Sequence, residues 1–259
     1  MTLVFRTSLF VLVSLLASAS TGYAGDTIHA LLIGVTDYPG LPQKSQLIGP
    51  TQDVAMFRSL LSGAPFAVPE ENIVVLAESQ PSERKPTAAN IRRAYEDLVQ
   101  RVAAGDQVVI LQSGHGSQIV DDDPDNPDDP EIDGMDEIFV PSDVAGGLTT
   151  GNKVTNVIRD DEIRQWLNAI RDKGASVFFV SDSCHSDTQT RGPIADTVRT
   201  RGIELVPLEI RKSLDKSEST ARGDGTGTGS SIEPVTREGI VAFYAARSNE
   251  ETPDQFKDP

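Results

Sequence analysis

Five short, mostly unbroken apolar runs punctuate the chain: Ile28–Val35, Ile73–Leu76, Gln107–Gln112, Ser176–Val180 and Ile240–Ala245. Runs of this length that do not alternate with polar residues predict strands covered on both faces. Between them the period changes to that of a helix. Asp53 to Leu61 sets Val54, Phe57, Leu60 and Leu61 on one face. Thr87, after Pro86, predicts an N-cap for a helix carrying Ile91, Ala94, Tyr95, Leu98 and Val102. Asp160, Asp161 and Glu162 open a third helix, their negative charge at its dipole-positive end, with Ile163, Trp166, Leu167 and Ile170 as the apolar stripe. Strands alternating with helices predict an α/β fold: a three-layer α/β/α sandwich around a mostly parallel central sheet.

Three stretches fall outside that pattern. Residues 1–24 combine Arg6, an apolar run from Leu9 to Ala17 and the small-residue end Thr21-Gly-Tyr-Ala24. This is the layout of a signal peptide cut after Ala24, and the run is shorter than the ~20 residues a membrane span needs. Residues 25–259 are then one domain of a size that buries a proper core. Residues 121–137 form an acidic loop: ten of its residues are Asp or Glu and none is basic. Residues 212–231, rich in Ser, Thr and Gly, read as a flexible linker. Ile240–Ala245 resumes a strand after it, so the linker interrupts the domain rather than ending it.

Charge narrows the choice of partner. With 39 acidic and 23 basic residues the net charge is −16. A surface so acidic argues against nucleic acid or anionic lipid and favours metal ions or basic peptides. The chain has one cysteine, Cys184, so an exported domain of this kind gains no intrachain disulfide.

Two of the predicted strands run into reactive turns. Val108-Val-Ile-Leu-Gln112 leads into Ser113-Gly-His-Gly-Ser117, and Val177-Phe-Phe-Val180 into Ser181-Asp-Ser-Cys-His-Ser186. Ligands of open α/β sheets sit beyond the carboxyl ends of the strands. If these two strands are neighbours, His115 and Cys184 share one crevice. A free thiol has a pKa of about 8.5 and attacks only as thiolate, so it needs a base beside it. The glycines around His115 let a peptide backbone approach, and free the Gly116 amide to join that of Cys184 as an oxyanion donor. The bland alternative is a buried small hydrophobe and an unrelated turn histidine. His185 adjoins the cysteine and points elsewhere, and His29 starts the first strand.

At these residues the chain resembles the caspase-like cysteine peptidases, and most closely their metacaspase branch. Ser113-Gly-His-Gly-Ser-Gln118 is similar to the family's histidine motif and Asp182-Ser-Cys-His-Ser186 to its cysteine motif. Ala30-Leu-Leu-Ile-Gly34 looks like its first strand. Leu47-Ile-Gly-Pro-Thr-Gln-Asp53 resembles a Leu-x-Gly-Cys-x-Asn-Asp segment, with Pro50 and Gln52 departing from it. The resemblance implies an exported, periplasmic or extracellular endopeptidase with Cys184 as nucleophile and His115 as base. It implies that Asp53, Ser113 and Asp182 line the pocket for the residue before the scissile bond; carboxylates there select Arg or Lys in a protein substrate. No organic cofactor is implied. The competing structural readings are a helix N-cap for Asp53 and a strand-end turn for Asp182.

Asp133-Gly-Met-Asp-Glu137 resembles an element of calcium-activated metacaspases, which makes Ca2+ the expected ion and Asp121, Asp122, Asp123, Asp136 and Glu137 the candidate ligands. An EF-hand frame from Asp129 fails, because Val140 stands where the bidentate Glu is required. The alternative is a solvated charge run. Lys212, Lys216 and Arg222, or Arg191, Arg199 and Arg201, are candidate self-processing sites for a peptidase of this specificity. By the same resemblance the family continues beyond Asn249, so the C-terminal part of the domain is expected to be truncated. That leaves a rival from another class, a catalytically silent homologue acting as a calcium or partner-binding module. A legumain-like or gingipain-like peptidase is a second rival.

Overall fold

The computed structural model describes residues 27–121, 134–147, 152–183, 201–206 and 239–244. All five apolar runs are strands: β1 (Ile28–Gly34), β2 (Ile73–Leu76), β3 (Gln107–Ser113), β9 (Ser176–Asp182) and β10 (Ile240–Tyr244). They form one parallel sheet in the order β10-β9-β3-β1-β2. Their unbroken hydrophobicity has the expected cause. Leu31 and Ile33 of β1 point into one core with Val108, Ile110, Val177 and Phe179. Ala30 and Leu32 point into another with Val75 and Leu111.

Helices cover both faces. Helix α1 (Gly49–Ser62) closes the second core through Val54 and Leu61. Helices α2 (Ala88–Arg101) and α3 (Asp160–Asp172) lie side by side on the first, through Ile91, Tyr95, Leu98, Leu167 and Ile170. Tyr95 and Trp166 stack across their seam with centroids 4.5 Å apart. Thr87 caps α2 as its sequence predicts, its Oγ1 accepting from the Asn90 amide at 3.3 Å. Glu162 serves two ends at once. Its carboxylate takes the backbone N–H of Arg159 at 3.2 Å, closing the first turn of α3. It also takes the Arg92 guanidinium at 2.6 Å and 2.9 Å, which holds that guanidinium above its ordinary pKa. The predicted α/β/α sandwich stands.

Two expectations need correction. Helix α1 starts four residues before Asp53, with Pro50 in the first turn, where its missing N–H costs nothing. Asp53 is therefore inside the helix and not its N-cap. Leu60, expected on the core face, lies off it and is 53% exposed. The acidic stretch, in turn, is not all loop. The histidine turn continues directly into β4 (Gly116–Val120), which pairs antiparallel with β5 (Met135–Phe139), and β5 pairs with β8 (Ile158–Arg159). β6 (Ala145–Gly147) and β7 (Asn152–Thr155) form a separate antiparallel pair. Among the described residues no helix is long and apolar enough to cross a membrane. Residues 1–24 and 212–231, read from the sequence as a signal peptide and a flexible linker, lie outside the described residues.

Candidate active site

The register of the central sheet brings the two reactive turns together. Gly34 of β1 pairs with Ser113 of β3, and Ser113 pairs with Asp182 of β9, so three chain exits stand in a row at the carboxyl edge. The Gly114 amide donates to the Asp182 carbonyl at 3.3 Å, tying the two turns. Cys184 lies outside the described residues. Ser183, just before it, is buried with its Oγ 3.0 Å from that of Ser181.

His115 is 2% exposed and held from several sides. Its backbone N–H donates to the Tyr38 hydroxyl at 2.8 Å, and the two rings lie 4.8 Å apart. Its Nε2 is 2.7 Å from the Ser45 carbonyl. A carbonyl only accepts, so Nε2 carries the ring proton and the neutral imidazole presents Nδ1 as its proton-accepting nitrogen. A β-carbon on Gly114 would lie 3.0 Å from the Tyr38 hydroxyl and 3.1 Å from the Phe139 ring, so a side chain there would press Tyr38 and Phe139 back by a few tenths of an ångström.

Tyr38 is itself placed by two groups the sequence did not single out. Gln46 accepts the Tyr38 N–H at 2.7 Å and donates to the Tyr38 carbonyl at 3.0 Å. Glu78, half-buried, accepts the N–H groups of Thr36 and Asp37 at 2.8 Å and 3.1 Å. Burial outweighs those bonds and holds the Glu78 carboxyl above its ordinary value of 4.5.

Beside His115 the three predicted pocket residues converge. Ser113 Oγ donates to Asp53 Oδ2 at 2.7 Å. Between Asp53 and Asp182 sits the guanidinium of Arg201. Its Nη2 reaches Asp53 Oδ2 at 2.9 Å, and its Nη1 reaches Asp182 Oδ2 at 2.7 Å, Ser113 Oγ at 2.7 Å and the Asp182 carbonyl at 3.1 Å. Arg201 is 4% exposed. Its backbone follows suit: the Arg201 carbonyl accepts the Gly116 N–H at 2.9 Å. The N–H read from the sequence as an oxyanion donor thus already holds a carbonyl.

The acidic candidates separate. Asp121 stands at the base of the β4–β5 hairpin, its N–H on the Gly134 carbonyl at 3.0 Å. Asp136 and Glu137 are consecutive strand residues and so project to opposite faces. Asp136 is buried beside the Arg159 guanidinium at 3.1 Å, and Glu137 accepts from Gln118 Nε2 at 3.3 Å. Asp122 and Asp123 lie outside the described residues. Among the described residues no three acidic, His or Cys side chains gather around a common point.

The chain is similar in sequence and in fold to known proteins. Metacaspase-4 of Arabidopsis thaliana is 34% identical over 197 residues, covering 76% of this chain and 41% of its own length. Metacaspase-6 of the same plant is 37% identical, covering 74% of this chain and 44% of its own. Metacaspase-1A of Aspergillus oryzae is 35% identical, covering 80% and 45%. The chain thus spans less than half the length of these relatives. In fold it is similar to protein GSU0716 from Geobacter sulfurreducens, with a TM-score of 0.54 and 18% identity over 88% of this chain and 76% of that one. The family model described as metacaspase, peptidase C14 domain, matches residues 29–193, a stretch that contains both reactive turns. On that match and these relatives, the chain belongs to the metacaspase family.

Proposed function

We propose that the chain is a cysteine endopeptidase that hydrolyses peptide bonds after Arg or Lys. The observation that carries the specificity is the pocket of Asp53, Ser113 and Asp182: two carboxylates and a hydroxyl converge on one guanidinium. A paired, hydrogen-bonded cation is the side chain such a buried acidic pocket accepts; an acidic one would be repelled.

In the proposed reaction the substrate carbonyl takes the place of the Arg201 carbonyl on the Gly116 amide while Cys184, one residue beyond the described end of its turn, attacks it. His115 takes the thiol proton on Nδ1, and the bond to the Ser45 carbonyl favours the imidazolium that results. The tetrahedral oxyanion gains the Gly116 donor, a type of contact that contributes roughly 3–4 kcal/mol. His115 then gives its proton to the leaving amine, the peptide bond breaks, and a thioester remains on Cys184. Water deprotonated by His115 cleaves the thioester, releasing the carboxylate and restoring the thiol.

Fluorogenic peptides ending in Arg, Lys, Asp or Asn, offered to the chain and to its Cys184→Ala variant, test this. Turnover of the Arg and Lys peptides alone, lost in the variant, is the expected result. Cleavage after Asp or Asn would overturn the pocket assignment, and no turnover by folded protein would favour the silent binding module. The same assay with and without calcium tests calcium stimulation, which we propose on the carboxylate density of 121–137. Asp121, Asp122 and Asp123 are the better ligands, because Asp136 already faces a guanidinium. Export is proposed on the layout of residues 1–24, and a mature N-terminus at Gly25 would support it.

A further inference from the structure

We propose that Glu78 is a positioning residue for His115: its ionised carboxylate fixes the turn that carries both holds on the base, and does so at a cost to the stability of the fold. The inference rests on the reading of His115 as the base of a peptidase and adds a residue that acts on it through the chain.

The two contacts that orient His115 lie on one stretch of chain. Tyr38 supplies the hydroxyl that takes the His115 N–H and the ring 4.8 Å from the imidazole, and Ser45 supplies the carbonyl at Nε2. That stretch leaves the end of β1 and closes on itself. The Leu47 N–H donates to the Thr36 carbonyl at 3.0 Å, and Gln46 takes the Tyr38 N–H. Its start is pinned from outside. Glu78, just past the end of β2, takes the Thr36 N–H at 2.8 Å and the Asp37 N–H at 3.1 Å on one oxygen, Oε1. That oxygen therefore fixes both the residue whose carbonyl closes the loop and the residue next to Tyr38. The Thr36 hydroxyl, 2.7 Å from that of Thr51, ties the same point to α1.

The charge is what makes the pin strong. A carboxylate accepts N–H bonds more strongly than a neutral carboxyl does, so a protonated Glu78 holds the turn more loosely. Its surroundings nevertheless favour the proton. Burial raises the carboxyl above its ordinary value, the two N–H bonds only partly offset that, and Asp37 adds a like charge beside it. Oε2 is buried and finds no partner among the described residues. A half-buried charge that disfavours folding, and that holds the loop around the base, fits a group kept for function over stability. The charge thus has two effects of opposite sign. As pH rises through the Glu78 window the fold loses stability, while the base gains order.

The experiment compares the full chain with its Glu78→Gln variant, similar in shape and always neutral, over a pH series that crosses the window. It reads kcat and KM for the arginine fluorogenic peptide, Tm, and hydrogen exchange of the His115 amide relative to that of Ile110 in β3. Protonation of His115 is common to both proteins and cancels in the ratio of their rates. We expect the wild-type-to-variant ratio of kcat to climb from about one at the acid end to at least ~10 at the alkaline end, with KM alike. Over the same window Tm should shift in favour of the variant. At the alkaline end the His115 amide should exchange faster in the variant, relative to Ile110, than in wild type. A kcat ratio that stays flat with pH overturns the proposal. So does one that moves in step with Tm, the mark of a group that only supports the fold, and so does a change confined to KM. If neither protein turns over the peptide, the peptidase reading fails by itself and exchange alone judges the placement. Equal relative protection of His115 in the two proteins then overturns it. Should the variant not fold, the wild type suffices: its relative His115 protection must fall as pH drops through the window, and a constant ratio overturns the proposal.

Discussion

Tyr38 illustrates how much of this site depends on residues that do no chemistry. Its hydroxyl accepts the His115 N–H and lies 3.3 Å from the Val35 carbonyl, to which it donates. Tyr38→Phe keeps the ring and leaves both buried groups without that partner, at about 1–3 kcal/mol for an unsatisfied buried donor. Thermal or denaturant unfolding should show that loss. Steady-state kinetics should show kcat falling more than KM rises, because the base moves and the pocket does not. Glu78 adds a pH signature. A carboxyl raised in the folded state keeps its proton longer there than in the unfolded chain, so stability falls as pH climbs from 4.5 through the folded value. Glu78→Gln removes that slope. The difference in Tm between variant and wild type should therefore grow in favour of Gln as pH rises through the window and then level off. A difference that shrinks with pH would contradict this account.

At the scale of elements, the site depends on how closely α1 approaches the end of β1. A β-carbon at Gly34 would lie 2.7 Å from Val54 Cγ2 and 2.8 Å from the Pro50 carbonyl, both in α1. Gly34→Ala must push the helix, and with it Asp53, outward. Overpacking of this kind costs about 1–3 kcal/mol, and arginine-peptide affinity should fall along with Tm. Elements of this size were legible where apolar runs were long: every strand of the main sheet and helices α2 and α3 lie where the residue pattern places them, while α1 begins four residues earlier than its pattern. What the pattern could not supply was pairing. Ser113 and Asp182 are polar, and they extend β3 and β9 only because each lies in register with a neighbour. Met135, Asp136 and Glu137 read as the end of the acidic loop because Asp136 and Glu137 dominate its charge; pairing with β4 makes them part of a strand. Arg201 read only as a candidate cleavage point, since its partner Asp53 is 148 residues away in sequence. The other pocket residues were recognisable from motifs, while Tyr38 and Glu78 bind backbone N–H groups and Ser45 acts through its own carbonyl, contacts that left no sequence signal.

For the molecule as a whole, the net charge of −16 would attract a cationic substrate of the proposed kind before any contact forms. Screening shortens that attraction to about 8 Å at physiological salt. The value of kcat/KM for an arginine peptide carrying extra lysines should fall with ionic strength more steeply than for a peptide whose only charge is that arginine. Parallel slopes for the two peptides would mean that the surface charge plays no part in capture.

The strand order carries one more consequence, for how the sheet is made. After β1 and β2 have paired, β3 adds to the free side of β1, β9 to β3, and β10 to β9. Every strand after the first therefore emerges during synthesis to find its partner already made, and growth proceeds in one direction. No neighbouring pair is a hairpin, so each addition closes a long loop and the assembly is slow, in the range of about milliseconds to seconds. Until β10 arrives, the outer edge of β9 is an open row of peptide groups, the kind of template that recruits strands from other chains. A chain stopped after Asp182 should accordingly associate during refolding, visible as light scattering that rises with concentration. The same preparation extended through Tyr244 moves the open edge from β9 to β10, and scattering below that of the shorter chain would show that covering β9 is what matters.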